Sequence, residues 1–280
     1  SGIVENSNRL VLMNPVEFKK KYNIDARIQS EVVKINRAEK TITVKNILTD
    51  ELYEESYDHL VLSPGASPIV PNIEGVNEKH VFTVRNVTDI ERLNHYIQTV
   101  DAKNIAVIGG GFIGVEVAEN LRLAERNVSL VEFAPQILMP FDYDMAQILH
   151  KEMVDKGIEL IVGDGLAKIE DTSIQLNSGK VVEADVVVLA IGVRPETGLA
   201  KEAGLEIGEL GGIKVNANYQ TSDPAIYAVG DAIEVFHRLT HKPTRLALAG
   251  PAQRQARAAA DHMYGSYTRP RGVIGSSSIQ

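Results

Sequence analysis

The chain has 280 residues, 44% hydrophobic and 24% charged, with 22 Gly, 11 Pro and no Cys. That apolar fraction can fill one or two cores and argues against disorder. The absence of cysteine excludes disulfides, thiolate-held zinc or iron–sulfur centres, and thiol chemistry within these residues. The net charge of −8 is uneven: residues 101–218 carry 10 basic and 19 acidic side chains, the remainder 19 and 18, which hints at a separate middle unit. An acidic chain whose longest basic run is Lys19-Lys20-Lys21 is a poor nucleic-acid binder. No apolar run reaches the roughly 18–20 residues that span a membrane. The first residues, Ser1-Gly2-Ile3-Val4-Glu5, lack both Met and a signal-peptide pattern, so a processed or trimmed cytoplasmic chain is expected.

In chain order, residues 14–22 read as a short helix. Three alternating segments at 28–35, 41–45 and 51–57 predict a three-stranded meander. A buried strand over 58–63 then runs into Pro64-Gly65-Ala66-Ser67-Pro68, which continues neither strand nor helix. Val87, Ile90, Leu93 and Ile97 fall on one face of a helix over 87–100. A second unit starts near Asp101: strand 104–108, helix 112–125, strand 128–132. Next comes an amphipathic helix 142–156, with Met145, Ile148, Leu149 and Met153 expected toward the core and Gly157 as its stop. A strand over 158–162, a second meander over 166–184 and an apolar strand over 186–191 complete it. This order predicts an α/β, doubly wound parallel sheet with a β excursion. Residues 1–100 repeat its tail and read as the back half of a similar nucleotide-binding domain. After 218 come a short strand and turn at 226–231 and a long helix over about 246–264.

The strongest local signal is Ile105-Ala106-Val107-Ile108-Gly109-Gly110-Gly111-Phe112-Ile113-Gly114, a strand, a G-x-G-x-x-G turn and a helix opening. Gly109 permits the tight turn, Gly111 lets the backbone approach a pyrophosphate at the helix N-terminus, and Gly114 allows close helix–strand packing. Glu132 ends the next strand, 18 residues after Gly114, where a carboxylate can accept from both adenosine ribose hydroxyls. It would repel a 2′-phosphate, and Phe133-Ala134-Pro135-Gln136 offers no cation, so NADH is expected over NADPH. A second signal is Thr221 through Ile226-Tyr227-Ala228-Val229-Gly230-Asp231, which presents Asp231 at a strand's C-terminal end. That carboxylate could take a sugar hydroxyl, or serve as a turn residue or helix cap.

Together these motifs resemble the FAD-dependent pyridine nucleotide–disulfide oxidoreductases over nearly the whole chain. The T-x-x-x-x-I-Y-A-x-G-D run is similar to their flavin motif, and Leu60–Pro68 to their A-T-G-A-x-P connector. Within the family, Ile191–Thr197, Gly211–Val215 and Leu248–Ala252 look closest to the coenzyme A-disulfide and NADH-dependent persulfide reductases, with NADH oxidases near. The resemblance implies two Rossmann-like domains: 1–100 as the back half of an FAD domain, 101–218 as the NAD domain, 219–268 as the FAD return segment, and 269–280 as the start of a C-terminal interface domain. It implies that Gly109, Gly111, Ile113, Gly114, Glu132 and Gly192 surround NADH, with Glu116 near the nicotinamide. It implies that Ser63, Gly65, Arg85, Gly230, Asp231, Ala247, Leu248 and Ala249 line FAD. Solvated Arg85 and a core-facing helix at 247–249 are the plain alternatives.

Two departures accompany the resemblance. The family's first G-x-G-x-x-G and its redox cysteine are not in the sequence, so the chain reads as the middle of a homodimeric reductase and is expected to be inactive by itself. A small-molecule disulfide or persulfide, coenzyme A-linked, is the expected substrate. NADH oxidase and a non-catalytic dinucleotide-binding module are the alternatives. His237 and His241, four apart before Lys242-Pro243 and with no acidic third ligand, read as loop residues, so no metal site is expected. No G-x-S-x-G elbow supports a hydrolase. Arg245, Arg254 and Arg257 read as a solvated helix face.

Overall fold

The computed structural model describes residues 11–266 and 272–276, so most of the segment expected to open an interface domain lies outside the described residues. The described residues divide into two compact units, one built on Pro68–Val193 and the other on Leu12–Ser67 with the chain from Arg194 onward.

The unit containing 68–193 is built on a five-stranded parallel sheet. Its strand order is Val81–Thr83, Val186–Leu189, Asn104–Ile108, Asn127–Glu132, Ile158–Val162. The central strands are apolar throughout because both faces are covered: Ala106, Val107, Leu130, Val186, Val187 and Val188 are at most 0% exposed. The helices Phe112–Leu123, Tyr143–Asp155 and Val87–Thr99 belong to this unit, with an antiparallel meander of Leu166–Glu170, Ser173–Leu176 and Val181–Glu183. Residues 68–100, grouped by the sequence reading with 1–67, pack here. Val81, Phe82 and Thr83 pair in parallel with Val187, Val188 and Leu189, a partnership a hundred residues distant that local pattern does not reveal.

Two expected helix faces are corrected. On Tyr143–Asp155 the buried residues are Ala146 and Met153, Leu149 is half-buried, and Met145 and Ile148 are exposed. The small Ala146 lets this face approach the sheet. On Val87–Thr99, Leu93 and Ile97 are buried while Val87 and Ile90 are exposed in the first turn.

The second unit carries the antiparallel meander Ser30–Asn36, Thr41–Asn46, Leu52–Ser56, preceded by the short helix Pro15–Tyr22 with an Asn14–Glu17 capping box. Leu60–Leu62 pairs in parallel with Ile226–Ala228, register Leu60–Ile226 to Leu62–Ala228. A 3₁₀ turn Gly230–Ala232 follows, then the strand Ile233–Phe236. The last helix, Ala249–Met263, starts later than the expected 246. Leu248 is extended, and Pro251, which has no N–H to give, falls in the first turn where none is required. The fold thus inserts one unit into the other, and each keeps the point of insertion closed internally: Ile69 N–H donates to Gly192 O at 3.0 Å in the first, and Glu196 N–H to Gly65 O at 3.0 Å in the second. Among the described residues no helix is long and apolar enough to cross a membrane.

Candidate functional site

In the parallel sheet the chain leaves Asn104–Ile108 toward Asn127–Glu132 on one side, and Val186–Leu189 lies on the other. The crevice beyond the C-terminal ends of Asn104–Ile108 and Val186–Leu189 is therefore the topological switch point, where open α/β sheets bind ligands. Gly109 and Gly192 follow these two strand ends. Gly109 has φ +108°, and a Cβ there would overlap the carbonyl oxygen of Ala190 and lie 2.7 Å from its carbon. A Cβ on Gly114 would overlap the carbonyl oxygen of Gly109 and sit 3.4 Å from Ala190 Cβ. These two glycines let helix Phe112–Leu123 press onto the sheet.

Gly111 differs from both. It is the N-cap of the helix with ordinary extended backbone, and a Cβ on it would meet nothing within 4 Å. Its missing side chain is not demanded by the protein's own packing. It leaves open the approach to the first-turn N–H groups, which have no acceptor inside the helix and sit at the positive end of its dipole. That fits a pyrophosphate. Ile113 and Glu116, three residues apart on the same helix, are both exposed.

Glu132 is half-buried and tied to this loop. One carboxylate oxygen accepts from Gly110 N–H at 2.6 Å, the other from Ala134 N–H at 2.7 Å. Each oxygen keeps a second lone pair for a ribose hydroxyl. Gly110, the unremarkable x of the motif, is a further required glycine: its Cβ would lie 2.6 Å from Ile137 Cγ2 and 3.2 Å from Glu132 Cβ. Its carbonyl accepts from Leu138 N–H at 2.8 Å. Replacing Glu132 with Ala removes acceptors from two loop N–H groups as well as the lone pairs open to a ribose. We expect NADH affinity to fall by ~1–2 kcal/mol, the scale of charge-assisted hydrogen bonds, as read by NADH titration.

In the other unit, Ser63 and Gly65 follow Leu60–Leu62, and Gly230 and Asp231 follow Ile226–Ala228, so the pairing of those strands brings the four residues to one edge. Val229 N–H donates to Leu62 O at 3.0 Å. The half-buried Asp231 sits in the 3₁₀ turn. Ala252 Cβ of the last helix lies 3.9 Å from where a Gly230 Cβ would be, and Ala247, Leu248 and Ala249 lead into that helix. Ala247 and Ala249 are exposed, so the core-facing helix is not what they form. Arg85 belongs to the other unit; its backbone N–H donates to Asp89 Oδ2 at 3.0 Å.

Sequence reasoning missed Gln255. It is 1% exposed, and its Oε1 accepts from Gly230 N–H at 2.7 Å, fixing the turn that carries Asp231. A glutamine in a helix of alternating Ala and Arg gives no signal of this. Gln255→Leu would leave that N–H without an acceptor, at a cost of about 1–3 kcal/mol. We expect a lowered melting temperature together with faster loss of flavin, measured by thermal unfolding and by release on dilution.

A profile of the pyridine nucleotide-disulphide oxidoreductases matches residues 4–256. The chain belongs to this family. Family members are FAD-dependent and use NAD(P)H. As a family oxidoreductase the chain is 35% identical over 280 residues to the NADH oxidase of Methanocaldococcus jannaschii, covering 99% of this chain and 62% of that protein. It is 31% identical over 266 residues to the coenzyme A disulfide reductase of Staphylococcus haemolyticus, covering 95% and 60%. Reduced Bacillus anthracis CoADR-RHD superposes with a TM-score of 0.96 at 48% identity, over 99% of this chain and 50% of that one. The NAD-dependent persulfide reductase from A. fulgidus superposes at 0.93 with 31% identity, over 98% and 52%. The chain thus spans between half and two thirds of the length of these relatives.

Proposed function

We propose that this chain supplies the NADH-binding unit and part of the FAD-binding unit of an oxidoreductase that reduces a disulfide or persulfide, with coenzyme A-linked thiols as the substrate class. The observation that carries the reading is Gly111: its side-chain position faces open space at a helix N-terminus, between Gly109 and Gly114, which the protein's own packing requires. Bound NADH would supply the hydride and FAD the ring that accepts it. Gly109, Gly111 and Gly114 hold the pyrophosphate, Glu132 the adenosine ribose, and Ile113, Glu116 and Gly192 the nicotinamide half. Ser63, Gly65, Gly230, Asp231, Ala247, Leu248 and Ala249 line the flavin. Glu132 favours NADH over NADPH by charge, since none of residues 133–136 is basic. The substrate class is supported by the coenzyme A disulfide reductase and persulfide reductase relatives. A cytoplasmic homodimer is part of the same reading, supported by the resemblance.

A second reading, NADH oxidase, is favoured by the 35% identical archaeal relative. The test is the flavin-loaded full-length protein of which this chain is read as the middle, mixed with NADH without oxygen, then with acceptor. Bleaching of the yellow flavin, followed by recovery on adding coenzyme A disulfide or persulfide, supports the first reading. Recovery with oxygen alone supports the second. A colourless protein that still binds NADH leaves only a dinucleotide-binding module.

A further inference from the structure

We propose that His150 is a positioning residue for the glycine loop, holding the peptide plane of Gly110 through the buried segment Gln136–Leu138. His150 lies on helix Tyr143–Asp155, and its Nε2 accepts from Ile137 N–H at 3.1 Å. Ile137 is 0% exposed, and its Cγ2 is the atom nearest to where a Gly110 Cβ would stand. The next residue, Leu138, is 1% exposed and held at φ +50°, a left-handed conformation a leucine adopts only when its surroundings impose it. From there Leu138 N–H donates to Gly110 O, while Gly110 N–H donates to Glu132. Both polar groups of Gly110 are thereby fixed, and so is the direction in which Gly111 presents the helix N-terminus. The same segment is braced further along by Gln136, whose side-chain amide donates to Phe141 O at 3.0 Å. His150 thus anchors from outside a chain of contacts that ends on the nucleotide loop. The role rests on Gly109–Gly114 being the NADH loop.

The contact requires neutral imidazole, because a protonated Nε2 is a donor and cannot accept from Ile137. Burial alone lowers the His150 pKa from its ordinary 6.5, with no charged group contributing. On its own helix Lys151 pairs with Asp155 and Lys156 with Glu152, and across the segment Glu132 accepts from Gly110 and Ala134. For a histidine with a depressed folded-state pKa, the contribution is complete above 6.5 and declines as pH falls below it toward the folded value.

The test compares wild type, His150→Leu and His150→Gln as the full chain with FAD. Gln can accept from the Ile137 N–H but does not titrate. Two readouts are taken: amide hydrogen exchange at 109–111 and 136–138, and NADH affinity between pH 5.5 and 8. We expect faster exchange in both segments and about fivefold weaker NADH binding in His150→Leu, the scale of one lost backbone hydrogen bond. His150→Gln should restore both and lack the acid-side decline that wild type is expected to show as His150 protonates below its lowered folded-state pKa. Unchanged exchange in His150→Leu, or an acid-side decline that survives in His150→Gln, overturns the role. Exchange decides this by itself: if wild type failed to bind NADH, the functional reading would fall while the exchange result still judged His150.

Discussion

A protein carrying Gly111→Val is expected to melt at the wild-type temperature and to bind NADH at least about a hundredfold more weakly, a loss of ~2.7 kcal/mol or more. The two halves of this expectation come from one fact. At Gly111 the backbone is ordinary extended chain and the Cβ position is open, so valine fits the protein without strain. The same side chain would stand where a pyrophosphate must approach the helix N–H groups, and it would displace both the hydrogen bonds and the favourable end of the dipole. Thermal unfolding and NADH titration on one preparation check both halves. A lowered melting temperature would mean the position serves packing, and retained binding would mean the loop does not hold the nucleotide.

Gly114→Ala is expected to do the reverse at the level of cause. Here even one methyl overlaps the carbonyl oxygen of Gly109, which is backbone and cannot rotate away. The helix must lift from the sheet edge, opening the contacts that Val115, Ala118 and Leu121 make on its buried face. Overpacking of this kind costs roughly 1–3 kcal/mol, and a backbone clash belongs at the upper end. For a chain of this size that is on the order of a 6–12 °C drop in melting temperature. NADH binding should weaken as a consequence of the displaced helix. The order of events separates the two variants: Gly111→Val loses ligand with fold intact, whereas Gly114→Ala loses fold first. Equal stability of Gly114→Ala and wild type, by calorimetry, would refute the close-approach account.

Much of this was legible in the residues because the chemistry is local. Asn104–Ile108, the three glycines, the helix and Glu132 lie within one stretch of chain, and each step is signalled by a run of apolar residues or a glycine. The strand Ile226–Ala228 and the turn Gly230–Ala232 were legible for the same reason. What the sequence hid is nonlocal. The partner of Val81–Thr83 is Val186–Leu189, and no alternation of apolar and polar residues announces which distant strand completes a sheet. Gln255 serves a backbone N–H twenty-five residues earlier. Gly110 and His150 act through Ile137 and Leu138, which read as ordinary apolar loop residues. On helix Tyr143–Asp155 the exposed Met145 and Ile148 mask the true contact face, which the small buried Ala146 sets.

The insertion of residues 68–193 into the other unit has a consequence for how the chain folds. Leu60–Leu62 cannot find Ile226–Ala228 until the intervening chain is brought back on itself. For a flexible loop of the roughly 163 residues between those strands the closure entropy is on the order of 4–5 kcal/mol. If the inserted unit forms first, Ile69 and Gly192 are already hydrogen-bonded and the long loop becomes a short link. In that order the inserted unit would be the scaffold on which the other unit closes. A ribosome delivers its segments in that order, with Ile226–Ala228 emerging after the inserted sheet is complete.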